Sequence, residues 1–251
     1  KELVTNDRII GGMTVICSSK AKNIYNLFVE GECHITDSRT AELTKLTENS
    51  SRDVQIAFAN ELSIICNELE INVWDLISLA NKHPRVNILK PGPGVGGHCI
   101  AVDPWFIVSS APKSSQLISC ARRVNDMKPQ FILNQIEIEI NSFLKMNLDK
   151  QINEIKISLF GLTFKPDIDD LRESPALSIA IEMDRRYPGQ VVAVEPNISK
   201  LPESYNLSMS LKSYNEAFES GDIRILLVGH TAFLNLPKPS INFVDCIGFW
   251  T

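Results

Sequence analysis

The sequence has no apolar run near the roughly 18 to 20 residues of a membrane-spanning helix; its densest stretch, Ile64 to Leu69, is broken by Asn67 and Glu68. It also lacks any cluster of lysines and arginines, and its formal net charge is -5. Nucleic acids and anionic membranes are met by grouped cations, so neither is expected as a partner, and a phosphate would have to be held by a few placed charges. CxxC pairs are missing, and the six cysteines (17, 33, 66, 99, 120 and 246) are scattered. With no signal peptide in view, this predicts a cytoplasmic setting with neither a disulfide framework nor a zinc knuckle. Four of the six cysteines look like small core hydrophobes. The neighbours Cys33-His34 and His98-Cys99 lack the spacing of a metal site, so no metal is expected. Repeats and low-complexity tracts are absent.

What remains is an ordinary globular composition, 44% apolar and 22% charged over 251 residues, able to bury a large core. Lys1 to Thr5 carries neither an initiator Met nor a helix cap and runs into a strand-like Arg8 to Gly12, as a chain entered in mid-domain would. Ser18-Ser19-Lys20 predicts an N-cap for a helix over 21–29, and a strand follows over 33–36. Residues 40 to 69 hold no Pro or Gly and place Leu43, Leu46, Val54, Ala57, Phe58, Leu62, Ile65 and Leu69 at steps of three and four. That spacing predicts one helix about 40 Å long. A second helix, 73–81, ends before His83-Pro84, and a third, 114–146, carries an apolar stripe and a kink at Pro129. Such wide apolar faces predict a homodimer through these helices. Beyond residue 154, strands at 155–159, 191–195, 224–228 and 242–246 alternate with helices from Ser174 and at 214–218, which predicts a parallel sheet. The polar stretch 147–153 marks the boundary.

Three constellations carry chemistry. Lys90 to Trp105 contains a literal GxGxxG at Gly92, Gly94 and Gly97, but no strand precedes it and prolines interrupt it, so it is not a dinucleotide fingerprint. Glycines 94, 96 and 97 are expected instead to bring backbone close to a ligand and to hold Cys99 exposed as a nucleophile, with Asp103 four residues on. A cysteine packed beside a tight turn is the plainer alternative, outweighed by the glycine density and by His98. On the long helix, Lys45, Asn49 and Arg52 form one polar line, either solvated or the ammonium and amide needed to stabilise an oxyanion. Phe164-Lys165 to Arg172 joins a strand to a helix capped by Ser174, a charged loop or a phosphate site.

Together the segments TAELTKLTEN (40–49), ANELSIICNELEINVWDLI (59–77), HPRVNILKPGPGVGGHCIAVDPWF (83–106), GLTFKPDIDDLRESPA (161–176) and VDCIGFW (244–250) resemble the UDP-glucose/GDP-mannose dehydrogenase family over essentially the whole chain. The resemblance implies an α/β fold: the tail of a truncated NAD-binding Rossmann domain (1–38), a central helical dimerisation domain with the cysteine loop (39–150), and a Rossmann-like domain for a UDP-sugar (151–251). It implies two successive hydride transfers from C6 of a nucleotide-linked hexose to NAD. Residue by residue, Cys99 resembles the nucleophile, Asp103 the group that positions water, and Lys45 with Asn49 the oxyanion stabilisers. Phe164, Lys165 and Gly97 resemble substrate-site residues, Arg85 one that serves the partner subunit's substrate, and Arg172 one that reaches toward NAD. Most of the NAD site would lie in the missing domain, so this polypeptide alone is expected to be inactive. A non-catalytic, dimerising nucleotide-sugar-binding fragment is the alternative; a Cys-dependent hydrolase fits poorly, because no second His or Asn pattern is recognisable. One departure stands out: Ile247 occupies a position where the family usually has a basic residue.

Overall fold

Residues 2–250 are described by a computed structural model, and their elements fall into three regions. The first holds α1 (Glu2–Thr5), β1 (Arg8–Gly12), α2 (Val15–Tyr25) and β2 (Cys33–Asp37). β1 and β2 pair in parallel, Arg8 beside Cys33 and Gly12 beside Asp37. α2 starts earlier than the expected Ser18-Ser19 cap: Thr14 Oγ1 accepts from Cys17 N at 3.2 Å. The reason is the short connection from β1, which puts Ser18 inside the helix, buried, where its Oγ accepts from Gly12 N at 2.9 Å.

The second region is helical: α3 (Ser38–Glu68), α4 (Val73–Ala80), α5 (Asp103–Ser110) and α6 (Gln116–Met146), with α3 lying along α6. Asp37 caps α3 by accepting from Thr40 N at 3.0 Å, and Asn72 caps α4 by accepting from Trp74 N at 2.9 Å. α5 has no counterpart in the sequence reading, although Asp103-Pro104 is a sound helix start, since proline lacks only a donor that the first turn leaves unused. Pro129 lies inside α6 and cannot donate to the carbonyl of Asn125 four residues back. That oxygen instead faces Gly94, 3.2 Å from where a Cβ there would stand.

The third region builds β3 (Ile157–Phe160), α7 (Pro175–Arg186), β4 (Val191–Val194), β5 (Ser210–Leu211), α8 (Tyr214–Ser220), β6 (Ile223–Leu226) and β7 (Phe243–Asp245) into a wholly parallel sheet of order β5-β4-β3-β6-β7. A parallel sheet is covered on both faces, which is why β3 reads Ile-Ser-Leu-Phe with no exposed position. Ser158 is tolerated there because its Oγ donates to Ala217 O at 2.7 Å. Ile132, Ile136, Ile140 and Phe143 of α6 join Ile179, Ala180 and Met183 of α7 on one face; Phe160, Tyr214, Leu226, Phe233 and Trp250 cluster on the other. The second half of α6 is therefore part of the sheet's core, and packing is continuous across the polar stretch at 147–153. Successive strands leave β3 in opposite directions, to β4 on one side and β6 on the other. Their carboxyl ends open a crevice at that switch point.

Candidate active site

The glycines were expected to admit a ligand, but the structure shows them admitting the chain itself. A Cβ at Gly96 would stand 2.5 Å from Glu173 O, 2.7 Å from Phe164 Cβ and 2.8 Å from Pro175 Cδ. One at Gly97, where φ is +82°, would touch the Phe164 ring at 3.0 Å. Gly97 N also donates to Arg172 O at 3.3 Å. The correction has a plain cause: the loop is pressed onto the β3–α7 connection, and only residues without a side chain fit between them. At Gly92 nothing lies within 4 Å of a Cβ. Of the GxGxxG residues, Gly94 thus faces Asn125 and Pro175 and Gly97 faces Phe164, while no helix begins directly after the motif, and they do not fit a dinucleotide cradle.

Cys99 ends this loop. Its carbonyl accepts from Val102 N at 3.0 Å and Asp103 N at 2.8 Å, turning the chain into α5 and leaving the side chain exposed. Cys17 and Cys120 are exposed too, and only Cys33, Cys66 and Cys246 are buried, so three cysteines rather than four are core hydrophobes. Asp103 accepts a hydrogen bond of 2.5 Å from Asn49 Nδ2, which ties α3 to the start of α5. Asn49 and Asp103 are thus brought together beside the cysteine turn. Lys45, one turn earlier on α3, is exposed and paired with Glu48 at 3.1 Å. It lies on the wall of a cleft of about 550 Å³ shared with α1 and β1. Arg172 is exposed and grips Asp170, Nε to Oδ1 at 3.0 Å and Nη2 to Oδ2 at 2.6 Å. Arg172 and a weaker contribution from His98 hold the Asp170 carboxyl down at about 2, and the Asp170 hydrogen bond in turn raises the Arg172 guanidinium. Arg85 sits exposed in the loop after α4, its backbone N–H donating to His83 Nδ1 at 3.3 Å.

A buried polar network beneath the loop was not legible in the sequence. Arg122 and Asp53 are both buried and joined at 2.6 Å, Asn125 Nδ2 donates to Asp53 Oδ1 at 2.8 Å, and Asn60 Nδ2 donates to Asn125 Oδ1 at 2.9 Å. Asn60 Oδ1 then accepts from Gly92 N at 2.9 Å. Burial raises the Asp53 carboxyl above its ordinary value against the pull of Arg122. One signal could have revealed it: Asp53 and Asn60 lie in phase with buried Ala57 on α3, where a purely amphipathic helix would place apolar residues.

At the switch point a cavity of about 270 Å³ opens between the loops after β3 and β6 and the start of the glycine segment. Phe164, Ile247 and Phe249 give it apolar walls, and Lys90 and Lys165 are the charged side chains among its lining residues, which include no carboxylate. The Lys165 ammonium lies 5.6 Å over the Phe164 ring.

Sheet order, crevice and cationic lining define a doubly wound α/β protein of the nucleotide-binding type, joined to a long-helix region that presents a cysteine. Residues 39–127 match the model of the UDP-glucose/GDP-mannose dehydrogenase family, central domain, and 158–244 that of the same family's UDP binding domain. The chain belongs to this family. It is 53% identical to a UDP-N-acetyl-D-mannosamine dehydrogenase of Salmonella typhimurium, matching over 99% of this chain and 60% of that protein. It is 52% identical to an NDP-N-acetyl-D-galactosaminuronic acid dehydrogenase of Ralstonia solanacearum, over 100% of this chain and 58% of the relative. Among solved structures, the UDP-D-ManNAc dehydrogenase of Pyrococcus horikoshii superposes with a TM-score of 0.83 at 34% identity, covering 99% of this chain and 57% of that one. The chain spans about 60% of the length of the curated relatives it matches.

Proposed function

We propose that this chain is the central and UDP-sugar-binding part of an NAD-dependent UDP-sugar 6-dehydrogenase that oxidises UDP-N-acetyl-D-mannosamine to the uronate. The observation that carries the reading is the switch-point cavity: two lysines without a lining carboxylate, set between aromatic walls, suit a nucleoside diphosphate. In this reading Lys165 contacts the diphosphate, Phe164 walls the site, and Gly97 keeps the cysteine loop against it. Cys99 Sγ, as thiolate, adds to the C6 aldehyde and forms a thiohemiacetal. Asp103, steered by Asn49, orients the water that later hydrolyses the thioester, and the Asn49 amide with Lys45 faces the developing oxyanion. NAD would supply the hydride acceptor, and Arg172 would be the residue of this chain that reaches toward it. The described residues offer no cradle for its pyrophosphate.

Residues 1–38 fit the end of an NAD-binding domain, because Ile9, Val15, Ile16, Leu27 and Ile35 present apolar side chains without cover. In this reading the domains are 39–150 and 151–251, with the second half of α6 packed into the core of the latter. Leu43, Phe58, Ile65 and Leu69 on and just after α3, with Leu117, Met127 and Ile138 on α6, leave an exposed apolar surface suited to a homodimer. Arg85 would then reach the partner's substrate. The setting is cytoplasmic, where nucleotide-sugars are made, and among the described residues no helix is long and apolar enough to cross a membrane.

Calorimetric titration with UDP tests the reading. The chain should bind UDP, Lys165→Ala should weaken binding about tenfold, as loss of a charge-assisted contact does, and NADH should not form from UDP-N-acetylmannosamine and NAD. Failure to bind UDP would overturn the assignment of the cavity.

A further inference from the structure

The carboxyl ends of β3, β4 and β6 hold a buried polar cluster that the chemistry above does not use. Glu195 follows β4 and His230 follows β6; their side chains are fully buried. His230 Nε2 lies 3.0 Å from Glu195 Oε2, while Nδ1 lies 3.1 Å from the backbone N of Asp167 and 3.1 Å from Asn197 Nδ2. A backbone N–H and an amide NH₂ only donate, so Nδ1 must accept. The ring proton is therefore on Nε2 and is donated to Glu195.

The same carboxylate oxygen, Glu195 Oε2, accepts from Leu162 N at 2.7 Å and Thr163 N at 3.2 Å, and Oε1 accepts from Asn197 N at 3.1 Å. Burial pushes the Glu195 carboxyl up, but the bonds from His230 and Leu162 outweigh it and the net direction is down. At the other end Asp167 is held at φ +61°, in the left-handed region, with its carboxylate accepting from Thr231 N at 2.8 Å and Thr231 Oγ1 at 2.5 Å. Segment 162–167 is thus clamped at both ends, by Glu195 at its start and by His230 at its finish. Between the clamps stand Phe164 and Lys165, the wall and the cation of the cavity.

We propose that Glu195 and His230 form a positioning pair that fixes the 162–167 loop so that Lys165 meets the diphosphate of the nucleotide ligand. The inference rests on the reading of that cavity as a nucleoside diphosphate site. A neutral His and an ionised Glu act here as one unit: the carboxylate sets the tautomer, and the tautomer supplies the acceptor that the Asp167 amide needs. Glu195→Gln keeps the volume but turns one of the two acceptor oxygens into an NH₂: at the Oε2 position it would face the Leu162 and Thr163 amides, and at the Oε1 position the Asn197 amide, so in either orientation the clamp loses a bond and the charge that strengthens the others.

UDP titration of the whole chain, followed by calorimetry, tests the pair in two backgrounds. Glu195→Gln and His230→Asn should each weaken UDP binding about tenfold, the loss of roughly one well-placed hydrogen bond network. In a Lys165→Met background, measured up to millimolar UDP, the same Glu195→Gln change should alter affinity less than about threefold, because the residue it positions is gone. A tenfold loss in both backgrounds would show that the pair supports the fold at large, and unchanged affinity in Glu195→Gln would also overturn the proposal. Glu195→Gln carries the test alone if His230→Asn does not fold. Absence of UDP binding by the wild-type chain would instead sink the reading of the cavity beneath it.

Discussion

Two glycines of the same segment should respond to alanine in opposite ways. A methyl at Gly96 would stand 2.5 Å from Glu173 O, a backbone atom, and 2.7 Å from Phe164 Cβ, so the loop or the β3–α7 connection must move. Inserting a methyl into a packed contact costs about 1–3 kcal/mol, and a backbone obstacle places Gly96→Ala at the upper end, ~3 kcal/mol. For a chain this size that is a fall in Tm of roughly 6 to 12 °C. At Gly92 no atom lies within 4 Å, and its φ is not positive. Its N–H, which donates to Asn60 Oδ1 at 2.9 Å, survives the change. Gly92→Ala should therefore be neutral, or stabilising by about 0.4–1 kcal/mol through the unfolded chain. Urea melts of both variants measure the stability difference, and UDP titration should show Gly96→Ala weakened, because Phe164 is displaced. Equal losses at both positions would refute the reasoning, since Gly92 would then be needed for something other than space, as in a dinucleotide fingerprint.

Replacing Arg122 by Met should cost about 3–5 kcal/mol, because it leaves the Asp53 carboxylate buried without its cation; a loss below 1 kcal/mol in urea melts would argue against a buried ion pair. Lys128, 3% exposed, has its pKa lowered by burial to about 8, and neighbouring Cys246 is pushed up by burial to about 12. Between pH 8 and 10.5 the unfolded chain holds the lysine proton that the folded chain has released, which raises stability with pH; between pH 9 and 12 the unfolded cysteine ionises while the folded one does not, which lowers it. Stability should therefore rise from about pH 8 to 9, level off to about 10.5 and fall above, and Lys128→Met should abolish the rise and add ~3 kcal/mol at pH 7; a variant less stable than wild type at pH 7 would contradict this. Brief iodoacetamide treatment of the native chain, read by mass spectrometry, should label Cys17, Cys99 and Cys120 and spare Cys33, Cys66 and Cys246, and protection of Cys99 would count against an accessible nucleophile.

The two long helices were legible because their apolar residues repeat at helical steps without a break; α3 and α6 end within two residues of the predicted limits. The strands of the parallel sheet were legible from apolar runs, except β5, whose two residues, Ser210 and Leu211, are too short to show a pattern. α2 was misplaced by the attraction of Ser18-Ser19, when the cap went to the hydroxyl nearer the strand, Thr14. The site divides along the same line. Cys99 with its glycines announces itself in one segment, whereas the Asp53, Asn60, Arg122 and Asn125 network joins residues 32 to 72 positions apart. Glu195 and His230 sit 35 positions apart at the ends of separate strands. Nothing local marks such pairs; only the sheet order brings them together.

The fold bears most directly on chemistry through the way the cysteine segment is held from two sides. Its first glycine is fixed to the α3–α6 helices by Asn60, and its last glycines are fixed to the β3–α7 connection by the Arg172 carbonyl and the Phe164 ring. A thiolate that must add to a carbon of a bound sugar can be misplaced by about 1 Å only at a large cost in rate. If the cysteine loop belonged to the helices alone, any shift between helices and sheet would move Sγ relative to the cavity. Because Phe164 is at once a wall of the cavity and the surface against which Gly96 and Gly97 close, the proposed nucleophile and the proposed ligand site share one reference point. The continuous core, with Ile132, Ile136 and Ile140 of α6 packed against α7 and the sheet, holds that reference rigid. A substitution at Phe164 should therefore disturb binding and the position of Cys99 together, which distinguishes it from Lys165, whose loss should affect binding alone.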